Sequence, residues 1–479
     1  MRLKLSQIAH ALDLDAPLDG PDLLLTGAAI DSRQTKPGDL FFCLSGGRVD
    51  GHDFAAQAVA NGAVAVVAAQ ALPEVQGKAP VLAVHGNMTV QDALGRVGSL
   101  WRKLFDGRVI GVTGTAGKTT VKEMLARVCS QAGETSRNRM NWNNQIGLPM
   151  SLLECTGAED FWIMEAGISR PGDMDELGTI LRPDLAIVLN AGPAHLLELG
   201  DVVRVAAAKA RLTRYLTKNG MALVNQDCPD LWRECTTYTQ RIHGFSMHDR
   251  DAEFFCGEPF CPSPSSVGLQ LRLRGRILEV SWPVEKAPIA QNVLAVAAAA
   301  TLLGIESAAI RDALQAGDSL PGRFVVEQHG AWLLVDDTYN ANPLSMHMAL
   351  HRARSLAGQQ PLVCVLGDML ELGTAAAAEH AKLGRSLAGV CTDVYYHGHL
   401  AGEVLAGLKA EKGKARFLEC DSPKRFIEGW RASVRAQAKD GEMAVETVGT
   451  MGGGVVLFKG SRAGQMETYL HALRMELRT

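Results

Sequence analysis

Short apolar runs alternate with segments of helical periodicity in the first part of the chain. The runs at residues 41–44, 63–68 and 81–84 have the length and character of buried strands, and residues 54–61 carry the spacing of a helix. Strands that alternate with helices predict a parallel sheet with helices packed on it. We therefore expect a first α/β domain over residues 1–103.

The same alternation continues over residues 104–319. Its predicted strands are 109–112, 161–164, 185–189 and 221–224. This order predicts a doubly wound sheet, in which ligands bind beyond the carboxyl ends of the strands. Residues 246–290 are richer in proline and charge, with short strands at 269–273 and 277–282, and predict an antiparallel addition before an alanine-rich helix over 291–304.

A Leu-Pro-Gly-Arg step at residues 320–323 marks a third block. Its predicted strands are 332–335, 362–366, 394–396 and 455–458. The fold class is therefore predicted to be α/β with three domains. These are an N-terminal α/β domain (1–103), a central doubly wound sheet with the antiparallel addition (104–319), and a C-terminal Rossmann-like α/β domain (320–479).

The composition excludes several classes of protein. The 479 residues carry a net charge of −4, so the chain has no overall basic field for nucleic acid. Its ten cysteines are scattered singly, which is typical of free thiols in a reducing compartment. The N-terminus lacks the apolar core of a signal peptide, and the longest apolar stretch, 293–305, is too short to span a membrane. We expect a soluble, cytoplasmic protein that neither binds nucleic acid nor inserts into a membrane.

Residues 109–120, Val-Ile-Gly-Val-Thr-Gly-Thr-Ala-Gly-Lys-Thr-Thr, carry the most informative chemistry. An apolar strand leads into a glycine turn, and Lys118 and Thr119 then open a helix. The loop amides and the helix N-terminus are suited to anionic oxygens, Lys118 adds a positive charge, and the Thr119 hydroxyl is a ligand for Mg²⁺. A glycine turn without a ligand is the alternative, but the Lys-Thr-Thr run favours a nucleoside triphosphate site.

One position of this loop departs from the standard phosphate-binding sequence. Val112 stands where glycine is usual, and Gly111 comes one residue too early. The variant resembles the ATP-binding loop of the Mur ligases and the folylpolyglutamate synthetases, which join a carboxylate to an amine at the expense of ATP. The residues that this resemblance assigns to ATP are Thr113, Gly114, Thr115, Ala116, Gly117, Lys118, Thr119 and Thr120.

Three polar residues follow the strands next to this loop. Glu165 comes directly after the strand at 161–164, His195 follows the strand at 185–189, and Lys209 lies on the next helix. In a parallel sheet these positions share an edge with the phosphate loop, where a metal–phosphate site needs hard ligands. A surface glutamate, a structural histidine and a solvated lysine are the alternatives. The neighbouring loop favours a role for all three.

The chain resembles the Mur ligase family along essentially its whole length. The segments that carry the resemblance, besides the loop, lie at 141–149, 164–167, 170–174, 190–195, 208–209, 291–292, 336–343, 366–373 and 459–462. The Asp-Asp-Thr-Tyr-Asn-Ala-Asn-Pro and Gly-Asp-Met-Leu-Glu-Leu-Gly segments point to the branch that adds D-alanyl-D-alanine to UDP-N-acetylmuramoyl-tripeptide.

The resemblance implies a role for each matched residue. Lys118, Lys209 and His195 are expected to be catalytic, and two Mg²⁺ ions are expected, with Thr119, Glu165 and His195 as metal ligands. Lys209 matches the lysine that these ligases carbamylate with CO₂. Further contacts to ATP are assigned to Asn292, Arg323, Asp337, Asn340 and Asn342. Contacts to the UDP-linked substrate are assigned to Ser32, Arg33, Gly46, Arg48, Asn143 and Asn144; a tight solvent loop is the alternative for residues 46–54.

The implied reaction makes the pentapeptide precursor of peptidoglycan through an acyl phosphate. The expected partners are UDP-N-acetylmuramoyl-tripeptide and D-alanyl-D-alanine, with either diaminopimelate or lysine as the third residue of the peptide, and a monomer is expected. Three positions depart from the family pattern: Gln291 replaces a histidine, residues 196–201 replace a glycine-rich stretch, and Arg211 replaces a frequent acidic residue.

Three other functions remain as alternatives. The ligase that adds the third amino acid carries an Asp-Asn-Pro-Arg segment, for which this chain offers only Asp421-Ser422-Pro423-Lys424. A folylpolyglutamate synthetase has no counterpart of the N-terminal block. An ATP-dependent switch needs no second metal, so Glu165 and His195 argue against it.

Overall fold

The computed structural model describes residues 1–14, 22–263, 265–317, 320–440 and 453–478, with side chains from 435 to 440 left out. The α/β fold class is confirmed, with three main sheets that follow one another along the chain. Residues 318–319, where the second domain boundary is predicted, lie outside the described residues. The boundaries at 103/104 and 319/320 stay predictions.

The N-terminal sheet is built from four parallel strands in the order β3-β4-β5-β6. A small antiparallel pair, β1 and β2, precedes it. The strands are β1 (Leu3–Lys4), β2 (Leu24–Leu25), β3 (Gly27–Ala29), β4 (Asp39–Phe42), β5 (Ala65–Ala68) and β6 (Val81–Ala83). The helices are α1 (Leu5–Ala11), α2 (Ala55–Ala60) and α3 (Val90–Lys103).

The central sheet has ten strands, and those from β7 to β13 pair in parallel in the order β8-β9-β7-β10-β11-β12-β13. These parallel strands are β7 (Arg108–Thr113), β8 (Thr135–Arg137), β9 (Phe161–Glu165), β10 (Leu185–Val188), β11 (Met221–Asn225), β12 (Ile242–Ser246) and β13 (Phe254–Cys256). The predicted antiparallel addition is confirmed as β14 (Phe260–Ser263), β15 (Ser266–Leu273) and β16 (Arg276–Pro283).

Helices cover both faces of the central sheet. They are α4 (Lys118–Cys129), α5 (Gly147–Glu154), α6 (Asp173–Leu181), α7 (Leu196–Leu199), α8 (Val202–Ala210), α9 (Pro229–Tyr238), α10 (Ala290–Leu302) and α11 (Ser307–Gln315). Helix α10 is apolar almost all round and packs with α4 in one core, as its alanine-rich sequence predicts.

The C-terminal sheet runs β17-β18-β22-β19-β20-β21, and only the β17–β18 hairpin is antiparallel. Its strands are β17 (Val325–His329), β18 (Trp332–Asp336), β19 (Leu362–Gly367), β20 (Asp393–His397), β21 (Arg416–Glu419) and β22 (Gly454–Lys459). Its helices are α12 (Pro343–Ala357), α13 (Ala376–Leu387), α14 (Ala401–Ala410), α15 (Pro423–Asp440) and α16 (Glu467–Glu476). Within the described ranges, no helix is both long and apolar enough to cross a membrane.

We call the part of the chain built around each main sheet a unit. Helix α3 joins the N-terminal and central units through a single apolar core. Its buried face shares that core with α5, α6 and β9. A side chain at Gly98 would bring a Cβ within 2.8 Å of the Pro149 Cβ, so the two helices cross at a distance that only glycine allows. The buried Arg102 guanidinium then fastens the end of α3 to the central unit, donating to the carbonyls of Leu181 and Arg182 and to the Asp184 carboxylate at 2.8 Å.

Replacing Arg102 by methionine is expected to lower the free energy of unfolding by about 3–5 kcal/mol, because Asp184 would keep a largely buried charge without its partner. The measurement is the denaturant midpoint of the transition that involves the N-terminal and central units. The control is Arg96→Met on the same helix, whose pair with Asp13 is exposed and is expected to contribute less than about 1 kcal/mol. Equal midpoints for the two variants would contradict the expectation.

Candidate active site

The glycine turn after β7 forms the predicted loop, and α4 begins at Lys118 as expected. Gly117 has φ +83°, and a Cβ there would lie 2.5 Å from the Asn292 Oδ1, so glycine is required for both conformation and space. Strand β7 lies between β10 and β9, and the strand order reverses there. The loop therefore stands at the switch point of the sheet, where ligands of doubly wound folds bind.

Asn190, which follows β10, fixes the shape of this loop. Its Oδ1 accepts hydrogen bonds from the amides of Thr115 and Ala116 at 3.0 and 2.9 Å, and its Nδ2 donates to the Ala116 carbonyl at 3.2 Å. The Thr115 hydroxyl and Gly192 also exchange hydrogen bonds. The loop is thus held from the neighbouring strand before any ligand binds.

Lys118, Thr119 and Glu165 meet at the first turn of α4. The Thr119 hydroxyl donates to Glu165 Oε2 at 2.7 Å, and Asn143 Nδ2 donates to Glu165 Oε1 at 2.6 Å. Lys118 Nζ donates to the Gly114 carbonyl at 2.9 Å, across the loop. Burial lowers the pKa of Lys118, and the Glu165 charge opposes that shift. A cation and a carboxylate are therefore held beside the loop, as the sequence predicts.

A second layer of polar groups holds Glu165 in place. The Asn138 side chain accepts from the Glu165 amide at 3.0 Å and donates to its carbonyl at 3.0 Å. Lys122, which is fully buried on α4, donates through Nζ to the Asn138 carbonyl at 2.5 Å. Neither residue could be predicted from the sequence, because a helical lysine is usually solvated and a lone asparagine has no distinctive pattern.

Lys209 and His195 belong to the same electrostatic cluster. Burial places the pKa of Lys209 well below its ordinary value, and the Lys118 charge lowers it further, while Glu165 opposes the shift. Burial also lowers the pKa of His195; the Glu371 charge opposes this shift, and the Lys209 and Lys118 charges add to it. A lysine whose amine is shifted toward neutrality can act as a nucleophile, and a neutral imidazole can act as a ligand.

The C-terminal unit contributes Arg323 to this cluster. Its Nη2 donates to the Thr119 hydroxyl at 2.8 Å, and its guanidinium lies 4.1 Å from the centre of the Tyr339 ring. The next residue, Phe324, has φ +57°, and the Arg352 guanidinium lies 3.8 Å from the centre of the Phe324 ring. Stacking on rings fixes the direction of these long cations, so Arg323 is positioned on the loop from the C-terminal unit.

The remaining residues that were assigned to ATP divide into two groups. Asn342 reaches the loop itself, where its Nδ2 donates to the Thr115 carbonyl at 3.3 Å while its Oδ1 caps α12. Asp337 and Asn340 are held together by the buried Lys459, which donates to the Asp337 carboxylate at 2.6 Å and to the Asn340 carbonyl at 3.0 Å. Lys459 is a further residue that sequence analysis did not assign.

The residues assigned to the UDP-linked substrate form a separate group in the N-terminal unit, apart from Asn143 and Asn144. The buried Ser32 donates to Gln57 Oε1 at 2.7 Å, and the exposed Arg33 pairs with Asp31. Gly46 and Arg48 lie in a loop that the Ser45–Asp50 bridge closes. Within the described ranges, no hydrogen bond or ion pair joins this group to the phosphate loop.

Asn143 and Asn144 have structural contacts that the sequence did not predict. Asn143 is bonded to Glu165, as described above, and Asn144 Oδ1 accepts from the amides of Ile146 and Gly147 at the start of α5 at 3.2 and 2.8 Å.

Two of the positions that depart from the family pattern make contacts of their own. Gln291, at the position of the family's histidine, donates to the Leu189 carbonyl at 3.2 Å. Arg211 pairs with Asp175.

The donor set suits Mg²⁺ that is shared with a phosphate ligand. In the part of the chain that the structure describes, no group of three or more His, Cys, Asp or Glu side chains could hold a metal by itself. Mg²⁺ is usually bound by one or two carboxylates together with substrate phosphates, and the Thr119 and Glu165 oxygens provide such a partial set. The buried Thr113 Oγ1 and Asn292 Nδ2 make no hydrogen bond with the described residues, which leaves polar capacity for a ligand at the loop.

Three family models match consecutive parts of the chain. The N-terminal match, described as "Mur ligase family, catalytic domain", covers residues 25–96. The "Mur ligase middle domain" covers 112–300, and the "Mur ligase, glutamate ligase domain" covers 322–462. The three matches follow the order of the three sheets.

Individual relatives support the same family. The UDP-N-acetylmuramoyl-tripeptide–D-alanyl-D-alanine ligase of Escherichia coli K12 is 34% identical over 384 residues, which cover 80% of this chain and 82% of that protein. The crystal structure of MurF from Acinetobacter baumannii is 28% identical with a TM-score of 0.84, and covers 99% of both chains. The structure of MurF from Thermotoga maritima in complex with ADP is 28% identical with a TM-score of 0.79, and covers 96% of this chain and 99% of that one.

Family models, relatives and structures thus agree on one assignment over nearly the whole chain. The phosphate loop, the Glu165–Thr119 pair and the arginine supplied by the C-terminal unit are consistent with it. This chain belongs to the Mur ligase family, whose members are ATP-dependent ligases.

Proposed function

We propose that this enzyme joins D-alanyl-D-alanine to UDP-N-acetylmuramoyl-tripeptide, with ATP converted to ADP and phosphate. The product is the pentapeptide precursor of peptidoglycan. The observation that carries the proposal is the junction of two units at the loop, where Arg323 contacts the Thr119 hydroxyl that Glu165 also holds. The names of the E. coli and A. baumannii relatives supply the substrates and the branch.

Several residues of the site act together in the first chemical step. The terminal carboxylate of the tripeptide attacks the γ-phosphorus of ATP, which forms an acyl phosphate and releases ADP. The amides of Gly117, Lys118 and Thr119 and the Lys118 ammonium bind the phosphate oxygens, because Asn190 already holds two of the other loop amides. Arg323 adds a second cation from the C-terminal unit. Bringing two anions together is the main obstacle to this step, so positioned positive charge lowers its barrier most.

Thr119 would hold one Mg²⁺, and Glu165 and His195, with Lys209 beside them, would hold a second. Both ions would supply positive charge that neutralises the phosphates and the incoming carboxylate. The Glu165 carboxylate is held in this region because Asn143 donates to one of its oxygens and Asn138 bonds the Glu165 backbone amide and carbonyl. In the second step the amine of D-alanyl-D-alanine attacks the acyl carbon and phosphate leaves. The approach of the C-terminal unit over the loop would limit the access of water to the acyl phosphate.

A paired substrate assay tests the proposal. Phosphate release is measured with UDP-N-acetylmuramoyl-tripeptide plus D-alanyl-D-alanine, for both diaminopimelate and lysine peptides, and with the corresponding dipeptide plus a single diamino acid. We expect release with the first pair only, and only when both substrates and ATP are present. Release with the dipeptide pair would instead support the ligase that adds the third residue, and release without an amine would support a nucleotide switch.

We further propose that Lys209 is carbamylated. The neutral amine attacks the carbon of CO₂ and loses one proton to solvent, which leaves an anionic carbamate on Nζ. The lowered pKa of Lys209 favours this reaction, since only the uncharged amine is nucleophilic. The carbamate also removes a cation that would repel Mg²⁺ beside Lys118.

Activity is therefore expected to fall when CO₂ and bicarbonate are removed, and to return when bicarbonate is added. Because lower pH protonates the amine and releases CO₂ from carbamates, the loss is expected to be larger at pH 6 than at pH 8. The measurement is the initial rate in degassed and bicarbonate-supplemented buffers, with an intact-mass spectrum under native conditions. A Lys209→Met variant is the control, and it should show no response to bicarbonate. An equal response in that variant would contradict the assignment.

The remaining parts of the proposal concern the other units. The loops around Ser32, Arg33, Gly46 and Arg48 would bind the UDP end of the substrate, while Asp337, Asn340, Asn342 and Asn292 would contact the nucleotide. The chain is proposed to consist of three domains, 1–103, 104–319 and 320–479, of which the third closes onto the nucleotide. We propose a monomer that acts in the cytoplasm, where UDP-linked precursors and ATP occur together.

A further inference from the structure

The loop that follows β19 reaches from the C-terminal unit to His195. Glu371 Oε2 lies 2.5 Å from His195 Nδ1, and the Glu371 carbonyl accepts a hydrogen bond from the Leu197 amide at 3.3 Å. The two side chains are 62% and 28% exposed, so the pair contributes little to stability. An effect of Glu371 on the reaction would therefore have to act on the imidazole itself rather than on the stability of the fold.

The loop is rigid enough to direct this contact. The fully buried His380 accepts from the Met369 amide at 3.0 Å through Nε2, and its Nδ1 lies 2.7 Å from the Ala376 carbonyl. The Asp368 carboxylate accepts from the His399 amide at 2.8 Å and from the Tyr396 hydroxyl at 3.0 Å. Glu371 itself has φ +63°, a conformation that non-glycine residues seldom adopt. The loop is thus fixed from the C-terminal side before it meets the central unit.

The central unit has a matching surface in the short helix α7. This helix starts directly after His195, which has φ +53°, and lies in the segment that departs from the usual family sequence. A Cβ at Gly373 would lie 2.9 Å from the Leu197 Cα, so the loop approaches α7 at a distance that requires glycine. Backbone contacts therefore set the position from which the Glu371 side chain reaches His195.

We propose that Glu371 is a positioning residue that orients His195 for the reaction only when the C-terminal unit lies against the central one. With Nδ1 bonded to Glu371, Nε2 is the ring nitrogen left for a ligand, and the Lys118 and Lys209 charges reach this ring. Carboxylates behind a ligating histidine fix its tautomer and ring orientation, and their loss typically costs 10–100-fold in affinity or activity. This inference rests on the proposed function, because it assigns His195 a part in that reaction.

The test compares Glu371→Ala and Glu371→Gln with Glu411→Ala and Glu411→Gln, which change an exposed carboxylate on the same unit. We expect Glu371→Ala to lower kcat about 10–100-fold with a much smaller change in the KM for ATP. Glu371→Gln should retain more activity, because its amide oxygen still accepts from the imidazole. In a His195→Ala background, Glu371→Ala should cost less than about twofold, since the group it orients is gone.

Binding of ADP gives a readout that is independent of turnover. Calorimetry with and without Mg²⁺ should show that Glu371→Ala reduces the gain in ADP affinity that Mg²⁺ provides, while affinity without Mg²⁺ is unchanged. Equal effects of the Glu371 and Glu411 variants, full additivity with His195→Ala, or an equal loss of affinity without Mg²⁺ would overturn the inference. Failure of the wild-type enzyme to use the tripeptide would reject the proposed function instead, and the binding arm would still test Glu371.

Discussion

Replacing Lys118 by alanine is expected to lower the rate of ATP-dependent ligation about a thousandfold or more, which corresponds to about 4 kcal/mol of transition-state stabilisation. The lysine bridges the loop through the Gly114 carbonyl and is held close to Glu165, so its ammonium is already in place for the phosphates. The attack of one anion on another gains most from such a charge in the transition state. The measurement is the single-turnover rate of ADP formation at saturating substrates.

The matched control for this prediction is Lys218→Ala, which removes an exposed lysine from the same unit. Thermal unfolding of both variants should remain near that of the wild type, because Lys118 supports only one hydrogen bond to the loop. The affinity for ADP should fall much less than the rate. A Lys118→Ala enzyme that ligates at a near-normal rate would contradict the role assigned to this loop.

The sequence predicted the fold because periodicity and local chemistry agree over most of the chain. The phosphate loop was recognisable from consecutive residues, since strand, glycine turn and Lys-Thr-Thr all lie within 109–120. The short strands β8, β12, β17 and β21 were missed because their sequences are partly polar. They are defined by pairing with neighbours that come from distant parts of the chain.

Contacts between units were the part of the site that the sequence did not predict. Arg323 was assigned from the family resemblance, but its stacking on Tyr339 and its bond to Thr119 depend on how the two units meet. Glu371 lies in the family segment 366–373, but its contact with His195 could not be predicted, because the two residues are far apart in sequence. Asn190 and Asn138 act through backbone groups, and such roles depend on geometry rather than on residue pattern.

These contacts make the candidate site a property of the assembled units. The central unit alone supplies the loop, Glu165 and Lys209, while the C-terminal unit supplies Arg323 and the contact to His195. Partly exposed contacts of this kind are individually weak, so they can open and re-form during turnover. The arrangement would therefore allow substrates to enter when the units separate. When the units meet, Arg323 would join the other cations at the phosphate loop.

Glu165→Gln is expected to lower kcat about 100-fold or more and to raise the Mg²⁺ concentration needed for half-maximal rate. The change keeps the size of the side chain but removes the carboxylate that opposes the pKa shifts of Lys118 and Lys209. The glutamine NH₂ group would also lie opposite another hydrogen-bond donor, because the Thr119 hydroxyl and Asn143 Nδ2 both donate to the Glu165 oxygens. Site geometry and metal binding should therefore both suffer.

A Mg²⁺ titration of the ligation rate, with Glu285→Gln as the control, separates these effects from a general loss of the fold. Glu285 is an exposed carboxylate of the same unit, so its variant should follow the wild-type curve. Nucleotide binding without Mg²⁺ should change little in Glu165→Gln, because the loop amides and Lys118 remain. An unchanged Mg²⁺ dependence in Glu165→Gln would mean that the metal is held elsewhere, and the pairing of Thr119 with Glu165 would then be purely structural.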